Sequence, residues 1–115
     1  MRLLVFLCSL VACGQALAEP HIGFEARIDE EWNCIRIEKF YSASQARGTG
    51  LVPGAPLVAI NKVPVKHPNT IHRYCKRKKV GDVVTLTISR SSQLVDIKVV
   101  LVDGDRARKS GFLVW

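Results

Sequence analysis

Apolar and polar side chains alternate through residues 83–90 (VVTLTISR) and again through 95–102 (VDIKVVLV), with little between them. A period of two suits a half-buried strand, whereas a helix face repeats every 3.6 residues. Two such runs joined by SSQL must fold back as an antiparallel hairpin, because a parallel crossover needs a dozen residues or more. The pattern recurs at 22–28 (IGFEARI) and 34–40 (CIRIEKF), joined by the polar DEEWN, and predicts a second hairpin. The chain is committed to a mainly antiparallel sheet.

What lies between the hairpins reads as helix, turn, strand, edge, helix. SASQARGTG (42–50) offers Ser42 or Ser44 as a cap and Gly48 or Gly50 as a stop, which predicts a helix of one or two turns. LVPGAP is a turn built on Pro53 and Gly54, and LVAIN is a short buried strand. KVPV places Pro64 where no ladder donor is needed, at an edge or a short bridge. HPNTIHRYCKRKK (67–79) opens with Pro68 and closes on cations, the asymmetry of a helix. Ile71 and Cys75 share one face of it and are assigned to the core, while Thr70 and Tyr74 share an adjacent face.

The N-terminal MRLLVFLCSLVACGQALA pairs Arg2 with a short apolar run and ends in Ala16-Leu17-Ala18. That run is too short to span a bilayer, so residues 1–18 are expected to be a secretory signal peptide cleaved after Ala18. LVAC offers Cys13 as a lipidation site, a lesser alternative. The expected product is periplasmic or secreted, with one domain over 19–104 and a tail over 105–115 that begins polar and flexible and ends apolar.

Two cysteines remain past the leader, Cys34 and Cys75. In an oxidising compartment they form either one disulfide or two buried thiols. Neither a C-x-x-C pair nor a Cys/His cluster is present, and His67 and His72 are five apart and share no helix face, so no metal or other cofactor is expected. The chain carries a formal net charge of +7. Residues 39–81 contain no acid, and Lys76, Arg77, Lys78 and Lys79 fall near the end of that stretch. Such a cluster complements the negative end of a helix, or meets an anionic lipid or polysaccharide surface; an exported protein has little access to nucleic acid. No G-x-S-x-G elbow, serine-histidine-acid grouping or paired carboxylates support catalysis, and the chain is read as a non-enzyme.

The order strand, strand, short helix, turn, strand, longer helix, hairpin resembles that of a PDZ domain. SASQARGTGLVPGAPLVAINKVPV resembles that family's small-residue helix, glycine-leucine, proline-glycine turn and following strand. KRKKVGDVVTLTISR resembles the end of its second helix and the next strand. HIGF (21–24) resembles its carboxylate-binding loop. VDIKVVLV comes after the strand that would end an animal PDZ domain, and nothing strand-like precedes HIGF. This arrangement resembles the permuted form in trypsin-like bacterial heat-shock proteases, with no protease domain. The chain departs from the family pattern at Ala55, usually Asp, at Lys62, usually Gly, and at His21, often Gly.

The resemblance implies an α+β fold, a small, partly open antiparallel β-barrel or sandwich of five to six strands with two helices. It also implies a groove that takes protein or peptide C-termini by strand addition. Ile22, Gly23 and Phe24 would present amides to a terminal carboxylate, which needs a glycine where the backbone turns its donors toward an anion. Ala26 and Ile28 would line the strand side of the groove, and Thr70 and Tyr74 the helix side. Tyr74 also reads simply as a half-exposed helix tyrosine. Phe112, Leu113, Val114 and Trp115 end the chain as an apolar run with a free carboxylate. That run is the kind of ligand such a groove accepts, in its own molecule or a neighbour's, or else an added strand.

Overall fold

Residues 19–46 and 48–113 are described by a computed structural model. The expected leader, Cys13 included, and Val114 and Trp115 lie outside the described residues. The elements in chain order are β1 (Pro20–His21), β2 (Phe24–Asp29), β3 (Cys34–Phe40), β4 (Pro56–Ile60), β5 (Val63–Pro64), α1 (Pro68–Lys76), β6 (Val83–Arg90), β7 (Gln93–Val100), β8 (Val102–Asp103) and α2 (Gly104–Lys109). The main sheet is antiparallel with the order β2-β3-β4-β6-β7, and β5 pairs with β4. β1 and β8 make a small second sheet. The main sheet does not close, so β2 and β7 are its ends. The fold is α+β and open, with both expected hairpins in place.

Alternation places the core. Ile35 and Ile37 of β3, Leu57 and Ile60 of β4, Val84, Leu86 and Ile88 of β6 and Ile97 and Val99 of β7 are all buried. Ile71 and Cys75 of α1 join them, as their four-residue spacing predicts. α1 starts on His67, whose Nδ1 accepts from the Asn69 amide at 3.1 Å, with Pro68 directly after. Arg73 and Lys76 occupy its last turn, where cations oppose the exposed carbonyls.

Turn chemistry sets the register. Ser91 and Ser92 both have positive φ, 50° and 64°, and form a two-residue connection between β6 and β7, tighter than the SSQL loop expected. Paired left-handed residues match the right-handed twist of flanking strands, so the hairpin closes early. Asn61 and Lys62 repeat this between β4 and β5, at 44° and 67°. Lys62 thus carries the strain that glycine would avoid. Pro53 and Gly54 form the expected turn: Ala55 donates its amide to the Val52 carbonyl at 3.3 Å, and Gly54 takes φ of 88°.

Three expectations change. The helix expected over 42–50 is a succession of turns and a bend among the described residues. Ser44 does cap, its Oγ accepting from the Ala46 amide at 3.0 Å. The Thr49 hydroxyl and amide then both take the Ala46 carbonyl, and Gly48 and Gly50 turn to positive φ, so no helix propagates. The second helix is instead α2, in the stretch read as a flexible tail. Asp103 caps it, its carboxylate accepting from the Asp105 amide at 3.0 Å, and Ala107 is fully buried beneath it. Finally, a two-residue strand leads into HIGF and takes in its first residue: β1, whose Pro20 and His21 pair with Asp103 and Val102 of β8.

Candidate functional site

Among the described residues β2 has β3 on one side and, at the end of the sheet, no strand on the other. Across from that open edge lies α1. A cleft of about 260 Å³ lies there, lined by Pro20 and His21 of β1, by Ile22, Glu25 and Ala26 on the β2 side, by Pro68, Asn69, Ile71, His72 and Cys75 of α1, and by Arg108 of α2. This is the geometry strand addition requires: a row of unpaired backbone groups beside a wall of side chains. The volume suits one or two side chains rather than a drug-sized molecule.

Gly23 shapes the closed end. Its φ is 90°, in the region that side chains disfavour, and a Cβ there would fall 2.7 Å from Oγ of Ser44. The Gly23 carbonyl accepts from the Tyr41 amide at 2.9 Å, which ties the loop to the end of β3. Phe24 then turns inward and packs edge-to-face on Phe40, ring centroids 5.6 Å apart. The Gly23 amide itself donates to Nδ1 of His21 at 2.8 Å.

Charged and aromatic groups ring that end. Glu19 pairs with Arg108 at 3.4 Å and with Nε2 of His72 at 3.7 Å. Arg108 also meets Asp105 at 3.1 Å. The Tyr41 hydroxyl donates to Glu25, and burial together with that bond pushes the phenol up to about 12. The imidazole of His21 stands edge-on to Tyr41, centroids 5.6 Å apart. Burial holds His21 below its ordinary value of 6.5, helped by Arg108 and His72 and opposed by Glu25 and Glu19.

The residues singled out from the sequence fall in several places. Ile22 and Ala26 line the cleft, Gly23 follows Ile22 without lining it, and Phe24 is buried in the core. Ile28 lines a separate cavity of about 180 Å³ with Cys34, Val65 and Lys66. Thr70 and Tyr74 are not among the residues lining the cleft; the Tyr74 hydroxyl accepts from Nδ2 of Asn61 at 2.8 Å instead. The helix wall is one step round, on Pro68, Ile71, His72 and Cys75. Cys34 and Cys75 are unpaired: Cys75 is buried in α1, and Cys34 is half-buried at the start of β3. Burial pushes the Cys75 thiol up to about 11. Lys76, the last residue of α1, and Arg77 and Lys79 beyond it are exposed, while Lys78 lies over the Tyr74 ring, 5.4 Å from its centroid.

The tail does not enter the cleft over its described length. Phe112 bridges to Tyr41, the Leu113 amide donates to the Phe40 carbonyl at 2.8 Å, and the Ser42 amide donates to Gly111 at 2.7 Å. These bonds extend the sheet along the end of β3. Phe112 stacks on Tyr41 at 4.6 Å with Lys39 Nζ 4.0 Å from its ring centroid.

No family model matches the chain, and no curated protein matches it. Solved structures do. The HtrA-type protease AlgW with a decapeptide overlays with a TM-score of 0.66 at 18% identity, over 76% of this chain and 30% of that one. AlgW with a tripeptide gives 0.69 at 19% identity, over 86% and 36%. An aminopeptidase N family protein from Idiomarina loihiensis gives 0.63 at 20% identity, over 84% and 15%. The chain therefore spans about a third of the protease chains it overlays. The match and the topology agree: β7, late in the chain, pairs with β6, as the permuted arrangement requires. The chain has the fold of the PDZ-like portion of an HtrA-type protease.

Proposed function

We propose that this protein is an exported, non-catalytic module that binds C-terminal or extended peptides of envelope or secreted proteins by strand addition along β2. The cleft between the open edge of β2 and α1, closed by the positive-φ Gly23 loop, carries this reading. A ligand strand would complete the sheet with backbone hydrogen bonds. Its terminal side chain would lie over Ala26, Ile71 and Cys75, and its carboxylate would approach the amides of residues 22–24. The structural relatives solved with a tripeptide and a decapeptide support peptide as the ligand class.

A panel of random C-terminal peptides, each as free acid and as amide, tests it. Free acids should bind and their amides should bind at least about tenfold more weakly, because a charged acceptor is lost. Equal binding of the two forms would remove the carboxylate loop from the account. The alternative is a basic surface protein that contacts anionic lipid or polysaccharide through Lys76, Arg77, Lys78 and Lys79. That reading requires binding to collapse between low and physiological salt, whereas groove binding changes little.

A further inference from the structure

The donor that a ligand carboxylate would need most is already occupied. The Gly23 amide, at the positive-φ apex of the loop, donates to Nδ1 of His21, two residues back and 2.8 Å away. An accepting Nδ1 fixes the neutral ring with its proton on Nε2. We propose that His21 caps the anion-binding loop from within, closing it to a carboxylate while the imidazole is neutral and opening it, with an added positive charge, when the imidazole is protonated. The inference rests on the groove reading above for the ligand's class, but the cap itself stands on the His21–Gly23 contact.

The chemistry is a simple exclusion. A protonated Nδ1 carries a hydrogen and cannot accept, so the Gly23 amide loses its partner and the two donors repel. The ring must then swing away, leaving a free amide beside an imidazolium, which is a better anion site than either alone. Every element packed round the ring supplies a charge or a dipole. Glu19, next to β1, and Glu25 of β2 favour the imidazolium, and Arg108 of α2 and His72 of α1 oppose it. Tyr41, past the end of β3, presents its ring, and Asp103 of β8 is committed to capping α2. Burial adds to the opposition, so opening falls on the acid side of 6.5. Glu19 also meets Arg108 at 3.4 Å and lies 3.7 Å from Nε2 of His72.

The experiment needs no peptide. ¹⁵N-labelled protein is titrated from pH 8 to 5 by NMR, and sodium acetate is added at pH 7.5 and at pH 5.5 at constant ionic strength, reading the amides of residues 22–24. The Gly23 amide signal should move with the His21 ring, at the same midpoint. Acetate should bind these amides roughly tenfold more tightly at pH 5.5, the worth of one freed charge-assisted bond. His21→Phe keeps a ring against Tyr41 but has no acceptor, so it should bind acetate at pH 7.5 more tightly than the parent and lose the pH dependence. A Gly23 signal indifferent to His21, equal acetate binding at both pH values, or no acetate binding at these amides would each overturn the proposal. A protein that shows the titration and the acetate effect yet binds no peptide would sink the groove reading and leave the cap standing.

Discussion

Asn61 and Tyr74 are joined by a 2.8 Å hydrogen bond that runs from the end of β4 to the last turn of α1. Asn61 also takes the Thr85 amide on its Oδ1 at 2.7 Å and returns its own amide to the Thr85 carbonyl at 2.7 Å. One half-buried side chain thus locks the β4–β5 turn, β6 and α1 together. It also explains why Tyr74 is unavailable to the cleft.

Asn61→Ala should therefore lower stability by about 1–3 kcal/mol, since it strands partners as well as deleting bonds. Tyr74→Phe should cost about 1 kcal/mol and leave peptide affinity unchanged. Denaturant unfolding of both single variants and the double variant checks the link. Strictly additive losses would mean that the two side chains do not cooperate.

At Gly23 two costs are superposed, and they can be separated. Gly23→Ala meets both the positive φ and the backbone and side chain of Ser44, whereas Gly48→Ala meets only a positive φ of 84° with open space around it. Gly48→Ala should cost about 1–2 kcal/mol and leave binding intact. Gly23→Ala should cost more and also weaken peptide binding, because the loop amides must move. Equal behaviour of the two variants in stability and binding would show that the close approach to Ser44 has no consequence.

The apolar tail is predicted to be structural. Removing residues 111–115 deletes the Phe112–Tyr41 stack, the Lys39 contact and two backbone hydrogen bonds. A stacked aromatic pair is worth about 0.5–1.5 kcal/mol beyond its buried area, so the truncated protein should lose about 2–3 kcal/mol of stability. Its affinity for added peptide should not rise, and its mass by light scattering should not fall. A gain in peptide affinity would instead make the tail a competitor for the cleft.

The thiols should differ. Cys75 is buried with its thiol pushed up to about 11, and Cys34 is half-buried at the start of β3. Since the thiolate is the reactive form, alkylation of folded protein should mark Cys34 well before Cys75. Intact mass before and after reduction should be the same. A two-dalton increase on reduction would establish the disulfide that the structure lacks.

The hairpins and the core were legible because period-two alternation carries a strand's buried face with it, as at Val84, Leu86 and Ile88. Gly23 was singled out only through the resemblance of HIGF to a carboxylate-binding loop, because a lone IGF also fits an ordinary strand entry; its φ of 90° is not readable from the sequence. The helix wall was not. Ile71 and Cys75 face both the core and the cleft, and the neighbouring stripe through Thr70 and Tyr74 differs from theirs by one residue, about 100° of rotation. In the structure Tyr74 turns to a bond with Asn61, a partner 13 residues away in sequence. α2 was missed because one short polar turn gives no apolar period, although Asp103 followed by acid and then base is a capping signal. The Glu19–Arg108 pair joins residues 89 apart in sequence, and no local pattern announces it.

The edge of β2 and the facing side of α1 are proposed to form a peptide groove. Chemical-shift mapping with the tightest free-acid peptide from the panel tests it most directly. The account predicts the largest shifts at the amides of residues 22–26 and at Ile71, His72 and Cys75, with new protection of β2 amides from hydrogen exchange. Shifts centred on residues 76–79, with the β2 edge unchanged, would contradict it.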